Sequence, residues 1–313
     1  MSSTPPQGPP PHGQPQYHPA YQPDSAYQPG PAYQQAGGQP PQQPQPEHQQ
    51  QGKRERFPHP VAQLDGFTWW DLGATVAYIL FLFLGFGALV LFIPGVQQII
   101  NGNKALANVL ALVFAYLVVA TVAMIALGSE LWKSFKTFRW YPLVKYLCIP
   151  GLWLGTQLVN VMIQAVWNHI SGEMPRQSQN QQIAEGLATA VPWWLIGIGI
   201  VLLGPLVEEY FFRHLLIGKL SRWINQWVLL VGSSVLFMGL HFVGAGEVPT
   251  VSTGAPYLVM GLVFGTAYIL SGKSIAYSWV LHTLNNAVSL AVIYLVEPSG
   301  LTDVPPSTVW MGG

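Results

Sequence analysis

Charge vanishes from this chain for long stretches, and those stretches have the length of a bilayer. Seven apolar segments run over about 69–93, 106–127, 143–170, 193–217, 227–243, 256–271 and 275–296. A helix rising 1.5 Å per residue needs about 20 such residues to cross ~30 Å of hydrocarbon. The third segment is long enough to tilt or to begin at the interface. Residues 171–192 are polar, with an amphipathic patch at Ile183–Leu187, and fit a loop or surface helix. The pattern predicts an all-α fold, a polytopic transmembrane helix bundle of about seven spans. Gly261 and Gly265 form a GxxxG pair in the sixth segment, and Gly85, Gly87 and Ala88 give the first a small face. Both sets suit close helix contact, although glycine is also an ordinary residue of membrane helices.

Composition agrees with the pattern. Half of the 313 residues are hydrophobic and only 8% are charged, against roughly a quarter charged in a soluble domain. Thirteen basic and thirteen acidic residues balance, which argues against a nucleic-acid partner. Cys148 is the single cysteine, so an internal disulfide and a cysteine metal cluster are both excluded. Residues 1–52 hold 14 of the 27 prolines, with units AYQP at Ala20 and Ala26 and AYQQ at Ala32. Without aliphatic residues to offset chain entropy, residues 1–56 read as a disordered Pro/Gln-rich tail. The first apolar run begins near Trp69, too far in for a cleavable signal peptide. The remaining regions are N-terminal helices and a loop over 57–190, a C-terminal helical core over 191–296, and a short tail over 297–313.

The basic residues set an orientation. Lys53, Arg54 and Arg56 precede the first segment, Lys133, Lys136, Arg139 and Lys145 follow the second, Lys219 and Arg222 the fourth, and Lys273 the sixth. With seven spans all lie on one side, and the other receives only Lys104 and Arg176. This bias predicts a multi-pass protein of the cell membrane, with a cytoplasmic N-terminus and an external C-terminus.

Ionisable residues inside a span are costly enough to suggest function. The stretch Leu206–Leu215, LVEEYFFRHL, follows a run, Trp193–Val207, without a single charge. Glu209 and Arg213 are four residues apart and share a helix face, so they can pair. Glu208 points about 100° away and is left free for chemistry. Pro205, lacking an N–H, should kink the helix and open carbonyls beside the acids. Two histidines lie well inside later apolar runs. His241 shares a face with Phe237 in FMGLH, and His282 with Asn286 in HTLNN. Counted from the inner ends, Glu208 lies roughly 15 Å deep, His241 roughly 20 Å and His282 roughly 10 Å, so one cavity can receive all three. His214 and His169 sit near segment ends and read as packing residues.

EExxxR, FxxxH and HxxxN, in that order on three segments, resemble the CPBP (ABI, CAAX-processing) family of intramembrane glutamic proteases, relatives of the endoprotease that trims prenylated CAAX proteins. The resemblance covers roughly 190–296. Family members carry eight helices, so either a further helix lies within 143–192 or the architecture differs. The resemblance implies that Glu208 is a general base activating water with His241, and that His282 and Asn286 donate to the oxyanion. Glu209, Arg213 and Phe237 would support them. It implies a membrane-associated protein or peptide substrate and no metal or other cofactor. Prenylated substrates are not implied, because bacterial members generally lack them. A non-catalytic immunity or scaffold protein of the same fold is the runner-up. Metal-dependent chemistry has a carboxylate and two histidines in its favour but no HExxH. A transporter has intramembrane polar groups in its favour but no inverted repeat. A GxGD motif is absent, and SGKS at Ser271 lacks the earlier glycine of a P-loop, so it reads as a turn.

Overall fold

The computed structural model describes residues 64–174, 176–243 and 246–296. The proposed tails, 1–56 and 297–313, lie outside the described residues. Within them every regular element is helical. Among the described residues five helices are long and apolar enough to cross a membrane, or up to six if one bent N-terminal pair counts as a span. The expected count of seven is finer than this.

The bent pair is the first apolar segment. Helix α1 (Trp69–Tyr78) starts on a capping box in which Thr68 and Asp71 satisfy each other's backbone N–H groups. It passes into a π-helical turn, Ile79–Phe83, and breaks at Gly85, whose φ is 73°. A 3-10 stretch, Phe86–Phe92, then leaves at 66°. Glycine relieves the steric cost of that left-handed conformation. A short α2 (Pro94–Ile100) leads into α3 (Lys104–Leu127), and α4 (Ser129–Phe135) follows at once. Helix α5 (Pro142–Ser171) is the longest, at 30 residues. The polar segment after it contains α6 (Gln179–Ala190), which begins on a Ser178 cap and is too short to span.

The Trp193–Arg222 span is the axis of the fold, with 56% of its most apolar window buried, against 17% for α5. It changes register repeatedly. Helix α7 (Trp193–Ile196) passes into a π stretch, Gly197–Leu203, then α8 (Gly204–Glu208), then a second π stretch, Glu209–Lys219. The kink expected from Pro205 is therefore realised as a change of helical register. Helices α9 (Gln226–Val243), α10 (Val251–Leu270) and α11 (Ile275–Val296) complete the core. Helix α10 lies close against α9, since a Cβ at Gly261 would fall 2.9 Å from the Ser234 backbone. The SGKS segment is the turn into α11, with Gly272 and Lys273 at positive φ. Helix α11 has the length of a span, but His282, Asn285 and Asn286 lower its apolar content.

Candidate active site

Two adjacent glutamates meet one imidazole at the centre of the bundle. Arg213 Nη1 lies 3.1 Å from Glu209 Oε1, one helical step away, and both side chains are inaccessible, at 1% and 0% exposure. The same Oε1 is 3.0 Å from His282 Nδ1. Beside Arg213 that carboxylate is ionised and can only accept, so Nδ1–H donates and the ring is held in one orientation. Its far edge faces the other acid, with Nε2 3.7 Å from Glu208 Oε2. That oxygen is buried and has no hydrogen-bond partner among the described residues, while the Glu208 side chain retains 17% exposure. Glu209 pairs with Arg213 along their shared helix face; its Oε2, like that of Glu208, has no hydrogen-bond partner among the described residues, so the two acids differ at Glu209 Oε1 and in exposure.

Phe237, wholly buried, organises the surrounding space. The Arg213 guanidinium lies over its ring at 4.5 Å, and the rings of Phe212, His241 and His282 sit 5.3, 4.6 and 5.9 Å from it. A buried cation takes part of its stabilisation from such aromatic faces. Ser233 ties this part of α9 to the second π stretch by donating to the Phe212 carbonyl at 2.6 Å. His241 Nδ1 lies 2.7 Å from the Phe237 carbonyl. A carbonyl only accepts, so Nδ1 carries the proton and Nε2 of the neutral ring is an acceptor. The structure thus brings Glu208, Glu209, Arg213, Phe237 and His282 into one contact set, with His241 against another edge of Phe237.

Asn286 sits one helical turn beyond His282. Its Nδ2 donates to the Ile200 carbonyl at 3.0 Å, and its Oδ1 accepts from Asn285 at 3.2 Å. The local cause is Pro205. In the first π stretch the Gly204 N–H bonds to Gly199 O, so the next residue would bond to Ile200 O. Proline has no N–H to offer. The Asn286 carboxamide takes that acceptor and keeps a second N–H.

A second buried polar cluster lies along the second π stretch. Lys219 Nζ donates to Asp71 Oδ2 at 2.7 Å, and Tyr210 OH to Asp71 Oδ1 at 2.6 Å. His214 Nε2 lies 3.1 Å from Glu130 Oε2, whose Oε1 accepts from the Asp65 amide at 2.9 Å. Burial pushes the Glu130 carboxyl up, but His214 and the Asp65 amide more than offset it and hold it below the usual range. His214 is thus a packing and pairing residue, and His169 is exposed. Asp71 and Asn285 escaped the sequence reading. For Asp71 a signal existed, since it is the one charge within 69–93. Among the described residues no group of three or more His, Cys, Asp or Glu is arranged to hold a metal.

The fold and this centre define a polytopic helical membrane protein with a carboxylate–imidazole site inside its bundle. Residues 190–288 match the family model described as Type II CAAX prenyl endopeptidase Rce1-like, which supports the resemblance to the CPBP family over that stretch. It is similar to an uncharacterized protein of Mycoplasma capricolum subsp. capricolum, 24% identical over 198 residues, covering 61% of this chain and 54% of that protein. The chain thus spans about half the length of that relative. It is also similar to the membrane-embedded CAAX protease MroQ of Staphylococcus aureus, 25% identical over 241 residues, covering 74% of this chain and 92% of that protein. No solved structure matches.

Proposed function

We infer that the chain is an intramembrane glutamic endopeptidase that hydrolyses a peptide bond of a membrane-associated protein or peptide. One observation supports the reading most: two adjacent carboxylates are differentiated by burial and partners, with Glu209 wholly buried and its Oε1 held by Arg213 and His282, while Glu208 keeps 17% exposure and meets only the Nε2 edge of His282 at 3.7 Å. A general base has to be a group whose lone pairs are not already spent.

Glu208 takes a proton from a water that the His241 Nε2 lone pair helps to orient. The water oxygen bonds to the substrate carbonyl carbon, whose π electrons move onto the oxygen. The second N–H of Asn286, and His282 when Nε2 is protonated, stabilise that oxyanion. The C–N bond then breaks, and Glu208 returns the proton to the departing nitrogen, leaving one acid and one amine for one water consumed. Glu209, Arg213 and Phe237 hold His282 and His241 in place. The charge bias supports a cytoplasmic N-terminus.

Comparative membrane proteomics tests the reading, setting wild-type cells against cells carrying Glu208→Gln. An uncleaved membrane protein should accumulate in the variant, and cleavage of that protein by the purified wild type should be lost with Glu208→Gln. Wild-type turnover of the accumulated protein by the variant would overturn the assignment.

A further inference from the structure

Helix α5 lies outside the family match and outside all three motifs, yet one of its faces is polar and buried. Thr156, Asn160 and Gln164 recur at every fourth residue and are 2, 3 and 4% exposed. Leu154, Leu158, Met162 and Val166 are exposed. A spanning helix with its polar face turned inward lines something other than lipid.

The polar face joins the site to the α6 end of the bundle by hydrogen bonds with a gap in the middle. At the α6 end Ser252 Oγ accepts from the Arg176 amide at 3.2 Å and donates to Gln164 Oε1 at 3.1 Å, and Gln164 Nε2 donates to the Ser252 carbonyl at 2.7 Å. At the site end Gln157 Nε2 donates to Asn285 Oδ1 at 3.3 Å, and Asn285 Nδ2 donates to Asn286 at 3.2 Å. Seven residues separate Gln164 from Gln157, roughly 10 Å along the axis and several hydrogen-bond lengths. Asn160 stands in that gap, and its Oδ1 is buried with no hydrogen-bond partner among the described residues. A carboxamide oxygen left unpaired in a bundle interior is a standing cost that leucine would avoid. A separate cavity of about 40 Å³ opens beside Asn286, lined by Gln181, Glu185 and Ser289 and otherwise by apolar side chains, with no α5 residue in its wall. One water needs roughly 10–15 Å³ and two to four polar partners.

We propose that the α5 carboxamide face is a water path from the α6 end of the bundle to Asn285 and Asn286, supplying the molecule that hydrolysis consumes. Its purpose rests on the endopeptidase reading; the bound water does not.

Met260 is a built-in reporter, 1% exposed with its sulfur 3.4 Å from Asn285 Nδ2. X-ray radiolysis of the full-length protein in nanodiscs makes hydroxyl radicals from bound water, and these oxidise a neighbouring methionine to its sulfoxide. Met260 should be oxidised in the wild type, lose the label in Asn160→Leu and regain it in Asn160→Ser. A Met260 that is inert in the wild type, or labelled equally in Asn160→Leu, overturns the path and leaves the α5 carboxamides as interhelical glue. If Asn160→Leu does not fold, Gln157→Leu takes its place with the same two outcomes. Peptide cleavage is followed in parallel. A labelled Met260 in a protein that cleaves nothing sinks the endopeptidase reading alone, and cleavage with a dry Met260 sinks the path alone.

Discussion

Oε1 of Glu209 serves two partners, whereas Oε2 of Glu208 meets only an imidazole edge. Neighbours in sequence therefore fail differently when neutralised. Glu208→Gln keeps shape and removes the base, so turnover of a membrane peptide should fall about 10²–10⁴-fold with thermal stability in detergent unchanged. Glu209→Gln strands a buried guanidinium and loosens His282, and should cost about 3–5 kcal/mol of stability, the range seen when a buried pair loses one partner. Combining it with Arg213→Met should cost less than the sum of the two singles, because the stranded charge goes too. A folded but inactive Glu209→Gln alongside an active Glu208→Gln would reverse the two roles. Glu130 gives a pH test outside the spans. Its carboxyl is held below the ordinary 4.5 in the folded protein, so folding binds fewer protons than unfolding there. The stability it contributes is complete above that value and is lost as pH falls through the folded pKa. Thermal melts from pH 6 down to pH 3 should show the wild type losing an advantage over Glu130→Gln, and parallel curves would refute the linkage.

At the scale of the element, i→i+5 hydrogen bonding shapes the site. Pro205 interrupts the first π stretch at the position whose N–H would have bonded Ile200, and Asn286 takes the carbonyl instead. Pro205→Ala restores the N–H and sets it in competition with Asn286. It should lower kcat with little change in KM or thermal stability, whereas unchanged kcat would show that the anchor has no catalytic weight. Gly261→Ala brings a Cβ to 2.9 Å from the Ser234 backbone and should destabilise by about 1–3 kcal/mol, the usual cost of overpacking, read as a lower melting temperature. Much of the site was legible because Glu209 and Arg213, Phe237 and His241, and His282 and Asn286 are each four residues apart, a spacing that places a pair on one helical face. The π register was not, because it changes backbone partners without changing which residues are apolar. The Asp71–Lys219 and Gln157–Asn285 contacts join residues 148 and 128 positions apart, beyond the reach of any local period. The bend at Gly85 was hidden by an unbroken apolar run across it.

Over the whole molecule, the basic residues and the polar α6 end give the bundle two unlike poles. With seven spans, a reporter fused at residue 313 should be read outside the cell and one in the Lys133–Arg139 loop inside; a cytoplasmic reading at 313 would require an even number of crossings. Between the poles runs the Trp193–Arg222 span, whose second π stretch turns its polar side chains to several separate neighbours. Glu209 faces His282, Tyr210 and Lys219 face Asp71, Arg213 lies over Phe237, and His214 faces Glu130. Exchange of one residue for another on such a helix disturbs only that residue's own partners. Removing a single residue, at Phe211 for instance, would rotate everything beyond it relative to Glu209, and the lysine, histidine and arginine would be turned from their counterparts together. The spacing between Glu208 and Lys219 is therefore constrained as a whole, where each side chain is constrained only by its own partners.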